Sequence, residues 1–143
     1  MKVILAPNRW CYYDYDQEEV KDDPFYHHLF ITLRKAYTYD YMKYLNKDVA
    51  HKAEDLLLGV QACVWGEYIP DEAKLESQTF PRSATIAEVT WTADSARNWN
   101  DFRIRLEKEF ERLEAQNVNA SKAYWQVLVN INLEVPYPRE IEL

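Results

Sequence analysis

Gly59-Val60-Gln61-Ala62-Cys63-Val64-Trp65-Gly66-Glu67-Tyr68-Ile69 holds the reading that decides the fold. Alternation along an apolar run argues a strand, with Val60, Ala62 and Val64 facing one way and Gln61 and Cys63 the other. A run this apolar suits a strand over Val60–Val64 that is covered on both faces, as in a parallel sheet. At its carboxyl end it delivers an indole, Trp65, and a carboxylate, Glu67. A sugar ring offers C–H groups to an aromatic plane and hydroxyls to a carboxylate, so the two side chains answer both kinds of surface. A Trp at a strand end is more often core than ligand platform. The Glu is harder to assign to a core, because a carboxylate beside a buried strand needs a partner or water.

A second stretch pairs with the first. Lys2 to Ala6 reads as a short buried strand that Pro7 ends. The loop expected from Asn8 to Pro24 mixes Trp10, Tyr12, Tyr13 and Tyr15 with Asp14, Asp16, Glu18 and Glu19, a composition suited to gripping a polar ligand. A tyrosine-rich loop packed on its own domain is the plainer reading of the same residues. From Phe25 to Asp40 an irregular connection with a helical stretch near Leu33 is expected. A helix over Lys47 to Leu57 should then end at Gly59 in a left-handed cap.

Downstream the pattern is helical. A polar loop is expected over Pro70 to Thr79, then a helix with Pro81 just inside its start and Trp91 near its end. Ile86 and Val89 give that helix an apolar side, and Ala84 and Ala87 leave room for close packing. Phe102, Leu106, Phe110 and Leu113 recur at three- and four-residue steps, predicting a helix over Trp99 to Gln116 with Asn117 as its cap. Arg105, Glu107, Lys108, Glu109 and Arg112 form its opposite, solvated face of paired charges. The tail from Tyr124 is apolar through Leu133 and carries Pro136 and Pro138, as an extended segment would.

Alternation of strand and helix is the mark of a parallel α/β sheet, where ligands meet the carboxyl ends of the strands. Both suspect regions fall at such ends. At 143 residues the chain is one domain with room for a core. A net charge of −7, with its basic residues interleaved among acids, argues against nucleic acid and anionic membranes as partners. Met1 to Arg9 lacks a secretory h-region, and the compartment stays open. Cys11 and Cys63 are too few for a disulfide scaffold or zinc site, and free small residues are favoured over a pair. No metal or other cofactor is expected. Only two glycines stand against eleven tyrosines and five tryptophans, so side-chain packing must hold the loops.

In order, these strings resemble the last two strand-helix units of glycoside hydrolase family 20, the β-N-acetylhexosaminidases. Val3-Ile4-Leu5-Ala6-Pro7 followed by Tyr12-Tyr13-Asp14 is similar to the family's seventh strand and its Tyr-x-Asp. Leu33-Arg34-Lys35-Ala36-Tyr37 resembles the lead into the seventh helix. Leu58 to Ala62 running into Trp65-Gly66-Glu67-Tyr68-Ile69 looks like the eighth strand. Phe80-Pro81-Arg82 through Ala87-Glu88-Val89-Thr90-Trp91 is similar to the eighth helix, with Trp99 to Val118 like the helix after the barrel. The resemblance covers roughly residues 2–119.

It implies the closing part of a (β/α)8 barrel over residues 1–92, with a helix and tail over 93–143 packed on the same domain. It also implies action on terminal N-acetylglucosamine or N-acetylgalactosamine residues of glycans or glycoconjugates, the substrate's acetamido oxygen replacing an enzyme nucleophile. Tyr12 would then be the catalytic donor to that acetamido carbonyl, Asp14 and Glu67 would accept sugar hydroxyls, and Trp65 would wall the pocket. The family's general acid, the Glu of a Gly-Gly-Asp-Glu string, has no counterpart; Asp71-Glu72 lacks the glycines and reads as a solvated loop pair. A full barrel needs about 250 residues, so the chain alone is expected to be inactive, either a fragment or a rearranged or homo-oligomeric form joined through open strand edges. A non-catalytic carbohydrate-binding or interaction module is the alternative function.

Overall fold

A computed structural model describes residues 2–18, 29–41 and 56–123. Two strands, β1 (Val3–Leu5) and β2 (Leu57–Val60), pair in parallel with Ile4 opposite Gly59 and Leu5 opposite Val60. The register shifts between Val3 and Ile4. There Gly59 takes φ 148°, a conformation open to a residue without Cβ and typical of a strand irregularity. This corrects the expected helix cap: Leu57 is already strand and Gly59 lies inside it. Residues 47–55 of that expected helix lie outside the described residues. The strand thus starts earlier than Val60, and the ladder carries on beyond it as single bonds. Gln61 N–H donates to Leu5 O at 2.8 Å, Cys63 N–H to Cys11 O at 2.7 Å and Tyr13 N–H to Cys63 O at 2.7 Å.

Between these contacts the upper chain steps out into one helical turn, α1 (Asn8–Cys11), where a plain loop was expected. Cys11 N–H closes it onto Pro7 O at 2.9 Å. Residues 19–24 of the expected loop lie outside the described residues. A short helix, α2 (Leu33–Tyr37), forms where Leu33 predicted one, its first turn capped by Thr32 Oγ1 accepting from Lys35 N–H at 3.1 Å.

Residues 72–79 depart from expectation. In place of a loop stands α3 (Glu72–Thr79), with Asp71 as N-cap accepting from Lys74 N–H at 2.7 Å. The Asp-Glu pair therefore starts a helix, exposed as expected but not as loop. The helix escaped the apolar pattern because the residue it buries is the amide Gln78. Next comes α4 (Arg82–Trp91), with Pro81 at its N-cap position, one step outside the helix. Ile86 and Val89 face the core as predicted, and Ala84 packs on the neighbouring helix, while Ala87 is exposed.

The longest helix, α5 (Trp99–Ala115), buries Phe102, Leu106, Phe110 and Leu113. Asn98 Oδ1 caps its start, and Asn117 at φ 58° ends it, with Val118 N–H on Leu113 O at 2.9 Å and Asn117 N–H on Glu114 O at 3.0 Å. Phe102, Leu106 and Phe110 pack on Leu33 and Tyr37 of α2, one core cluster. A second joins Tyr13, Tyr15, Ile31 and Ala36 to Ala62, Val64 and Ile86; a third joins Cys11, Tyr39 and Val89 to Trp10 and Val60.

In the two strands Ile4 is 53% and Leu58 64% exposed, and along the run expected to be covered on both faces Gln61 is exposed and Cys63 half-buried. The tail expected from Tyr124 lies outside the described residues. No helix among the described residues is long and apolar enough to cross a membrane.

Candidate active site

Tyr12 and Cys63 form a parallel bridge at the carboxyl end of the two-stranded ladder. Residues beyond that bridge leave the sheet side by side. Cys11, Tyr13 and Tyr15 are buried in the core, while Tyr12 is half-buried at its margin. Trp65 emerges two positions after Cys63 and is 56% exposed. Its ring centroid lies 6.2 Å from that of Tyr12 with the planes 57° apart, and Tyr15 stands edge-on to Tyr12 at 5.9 Å. The indole at position 65 is thus exposed rather than core.

Glu67 lies on a short 3-10 turn, Gly66–Tyr68, and is exposed to solvent. Asp14, by contrast, is only 5% exposed. Two cysteines meet beneath the site as free thiols, and burial, reinforced by Cys63, pushes the Cys11 thiol up to about 12.

Beneath Asp14 lies a polar cluster that the sequence reading did not single out. Arg82 at the start of α4 is fully buried. Burial draws its guanidinium down to about 9, against the pull of Tyr13, Asp16 and Asp14, so it keeps its charge at neutral pH. Asp16 Oδ1 accepts from Lys74 Nζ at 2.8 Å and from Gln78 Nε2 at 2.6 Å. Gln17 Nε2 donates to Ser77 O at 2.6 Å and Phe80 O at 2.9 Å. A signal existed: Arg82 and Thr85 fall on the same helical face as Val89, a polar pair on a core-facing stripe. Among the described residues no cluster of three or more His, Cys, Asp or Glu side chains is placed to hold a metal. A groove of about 550 Å³ between α4 and α5, with Trp91, Arg105 and Arg112 in its wall, is lined by none of Tyr12, Asp14, Trp65 and Glu67.

The model of the glycosyl hydrolase family 20 catalytic domain matches residues 1–94. The chain belongs to this family. Family 20 relatives include a β-N-acetylhexosaminidase of Cellulomonas fimi, 31% identical over 104 residues that span 73% of this chain and 20% of that enzyme. Among solved structures, the family 20 exo-β-N-acetylglucosaminidase of Vibrio harveyi in complex with N-acetylglucosamine superposes with a TM-score of 0.69 at 30% identity, over 85% of this chain and 19% of that one. The β-N-acetylhexosaminidase of Streptomyces coelicolor gives 0.71 at 27% identity, over 85% and 24%. The chain thus spans about a fifth of the length of the family 20 relatives it matches.

Proposed function

We propose that this chain is the closing portion of a β-N-acetylhexosaminidase barrel and supplies its sugar-binding wall. Residues 1–92 are the last two strand-helix units, and residues 93–143 a helix and tail on the same domain. The full-length protein hydrolyses terminal N-acetylglucosamine or N-acetylgalactosamine residues by substrate assistance. The carrying observation is the Tyr12–Trp65 pair, two ring systems 6.2 Å apart at adjacent carboxyl ends of parallel strands. Parallel α/β sheets bind ligands at that end of the strands.

Each group has a chemical task. A phenol is neutral at neutral pH and can donate, so Tyr12 holds the acetamido carbonyl oxygen where it can attack the anomeric carbon. Orienting an internal nucleophile in this way removes much of the entropic part of the barrier. Trp65 offers a flat apolar wall to the acetamido methyl and the sugar's C–H face. Glu67, exposed two residues further on, accepts from an outer hydroxyl, and Asp14 accepts from another. Proton donation to the leaving oxygen is assigned to a part of the full-length protein outside this chain, since Asp71-Glu72 lacks the glycines of the family's acid string and starts α3 instead.

In the full-length protein, Tyr12→Phe should lower kcat on an aryl N-acetyl-β-glucosaminide by on the order of tens- to a thousandfold, the range for loss of a positioned donor. Unchanged turnover would remove Tyr12 from the mechanism. Saturable binding of N-acetylglucosamine without any turnover would instead favour a carbohydrate-binding module.

A further inference from the structure

The guanidinium of Arg82 is the point on which the strand-end segment carrying Asp14 converges. Its Nη1 donates to Tyr15 O at 2.7 Å and to Ile31 O at 3.0 Å. Nη2 donates to Tyr13 O and Gln78 O, and Nε to Gln78 O at 2.9 Å. The same plane lies over the Tyr13 ring, 4.7 Å from its centroid. Gln78, accepting from Nη2 at 3.2 Å, passes Nε2 on to Asp14 O at 3.3 Å and to the Asp16 carboxylate. The carbonyls of residues 13, 14 and 15 are therefore all taken by two side chains from α3 and α4.

Carbonyls in a strand are ordinarily paired to a neighbouring strand, which then sets where the side chains point. In this segment the rigid five-donor fork of an arginine takes that place. Burying a charge costs several kcal/mol unless its hydrogen bonds are met, and an apolar side chain would fill the same space at less cost. What an apolar residue cannot do is hold three segments at fixed separations.

We propose that Arg82 is a positioning residue of the sugar site. It fixes the backbone on both sides of Asp14, and through it the Asp14 carboxylate, without touching substrate itself. This rests on the reading of Tyr12 and Asp14 as sugar-contacting groups. A lysine cannot substitute, because an ammonium donates from a single point and does not span Tyr13 O, Tyr15 O and Ile31 O together.

The test is a double-mutant cycle in the full-length protein, reading kcat and KM on an aryl N-acetyl-β-glucosaminide for Arg82→Lys, Asp14→Asn and the double variant. Arg82→Lys should lower kcat/KM at least tenfold in a protein with unchanged circular dichroism. Its effect should shrink to less than threefold in the Asp14→Asn background, since the carboxylate it positions is already gone. A merely structural arginine would lower kcat/KM by the same factor in both backgrounds, and that result overturns the proposal. So does an Arg82→Lys variant with wild-type kinetics while Asp14→Asn is impaired. If Asp14→Asn itself retains full activity, the reading of the sugar site is what fails. Should Arg82→Lys not fold, Arg82→Gln carries the same cycle, because its shorter amide cannot span Tyr13 O, Tyr15 O and Ile31 O together. Equal factors in both backgrounds, or insolubility of this variant too, would likewise make the cluster structural and overturn the proposal.

Discussion

Cys11 and Cys63 sit on adjacent chains of the parallel ladder, joined by the bond from Cys63 N–H to Cys11 O, yet their chemistry should differ. Cys11 is 0% exposed, and its thiol is pushed up to about 12, first by burial and then by its neighbour. Thiolate is the reactive form, so at pH 8 to 9 the native protein should alkylate at Cys63, which is half-buried, while Cys11 stays protected until denaturant is added. Peptide mapping after brief iodoacetamide treatment checks this; equal labelling of both would mean that the ladder end is open. Arg82 is the opposite residue-scale case, a charge sunk in the core and kept tolerable by the carbonyls it holds.

Helices α4 and α5 are joined by an ion pair that departs from the simple solvated face expected of α5. Arg105 reaches across to Glu88 with bonds of 2.7 and 3.1 Å and also holds Asp101 at 2.9 Å. These bonds raise the Arg105 pKa, chiefly through Glu88 and next through Asp101. Glu88 is 9% exposed, whereas Arg105 is half exposed. The pair's Coulomb energy is thus screened, but removing the arginine leaves a nearly buried carboxylate short of its donors. Arg105→Ala should destabilise by about 1–2 kcal/mol in urea denaturation, against less than about 0.5 kcal/mol for the exposed Lys108→Ala. Equal effects would mean that the bridge adds nothing beyond a surface pair.

At the scale of the molecule, the two-stranded sheet leaves apolar side chains open: Ile4 and Leu58 are 53% and 64% accessible. Within a full barrel neighbouring strands and side chains would cover them. In the isolated 143-residue chain they stand beside strand edges, the combination that drives association. Sedimentation should therefore show the isolated chain associating at micromolar concentration, and Ile4→Lys with Leu58→Glu should shift it toward monomer. A monodisperse monomer without these substitutions would show that these side chains are tolerated bare.

Periodicity was enough for α5, because Phe102, Leu106, Phe110 and Leu113 form one stripe and Asn117 a cap, both local signals. Alternation also marked a strand at Val60, a signal that needs no distant partner, although the observed strand runs Leu57–Val60. Helix α3 escaped that reading because it buries an amide, and Gly59 misled it because a glycine after helix-like residues serves a strand irregularity equally well. The burial of Asp14 and the carbonyls that Arg82 holds were decided by tertiary structure. The guanidinium and the carbonyls of residues 13, 15 and 31 meet across 51 to 69 positions of chain, and only packing α4 under the strand ends brings them within hydrogen-bond reach.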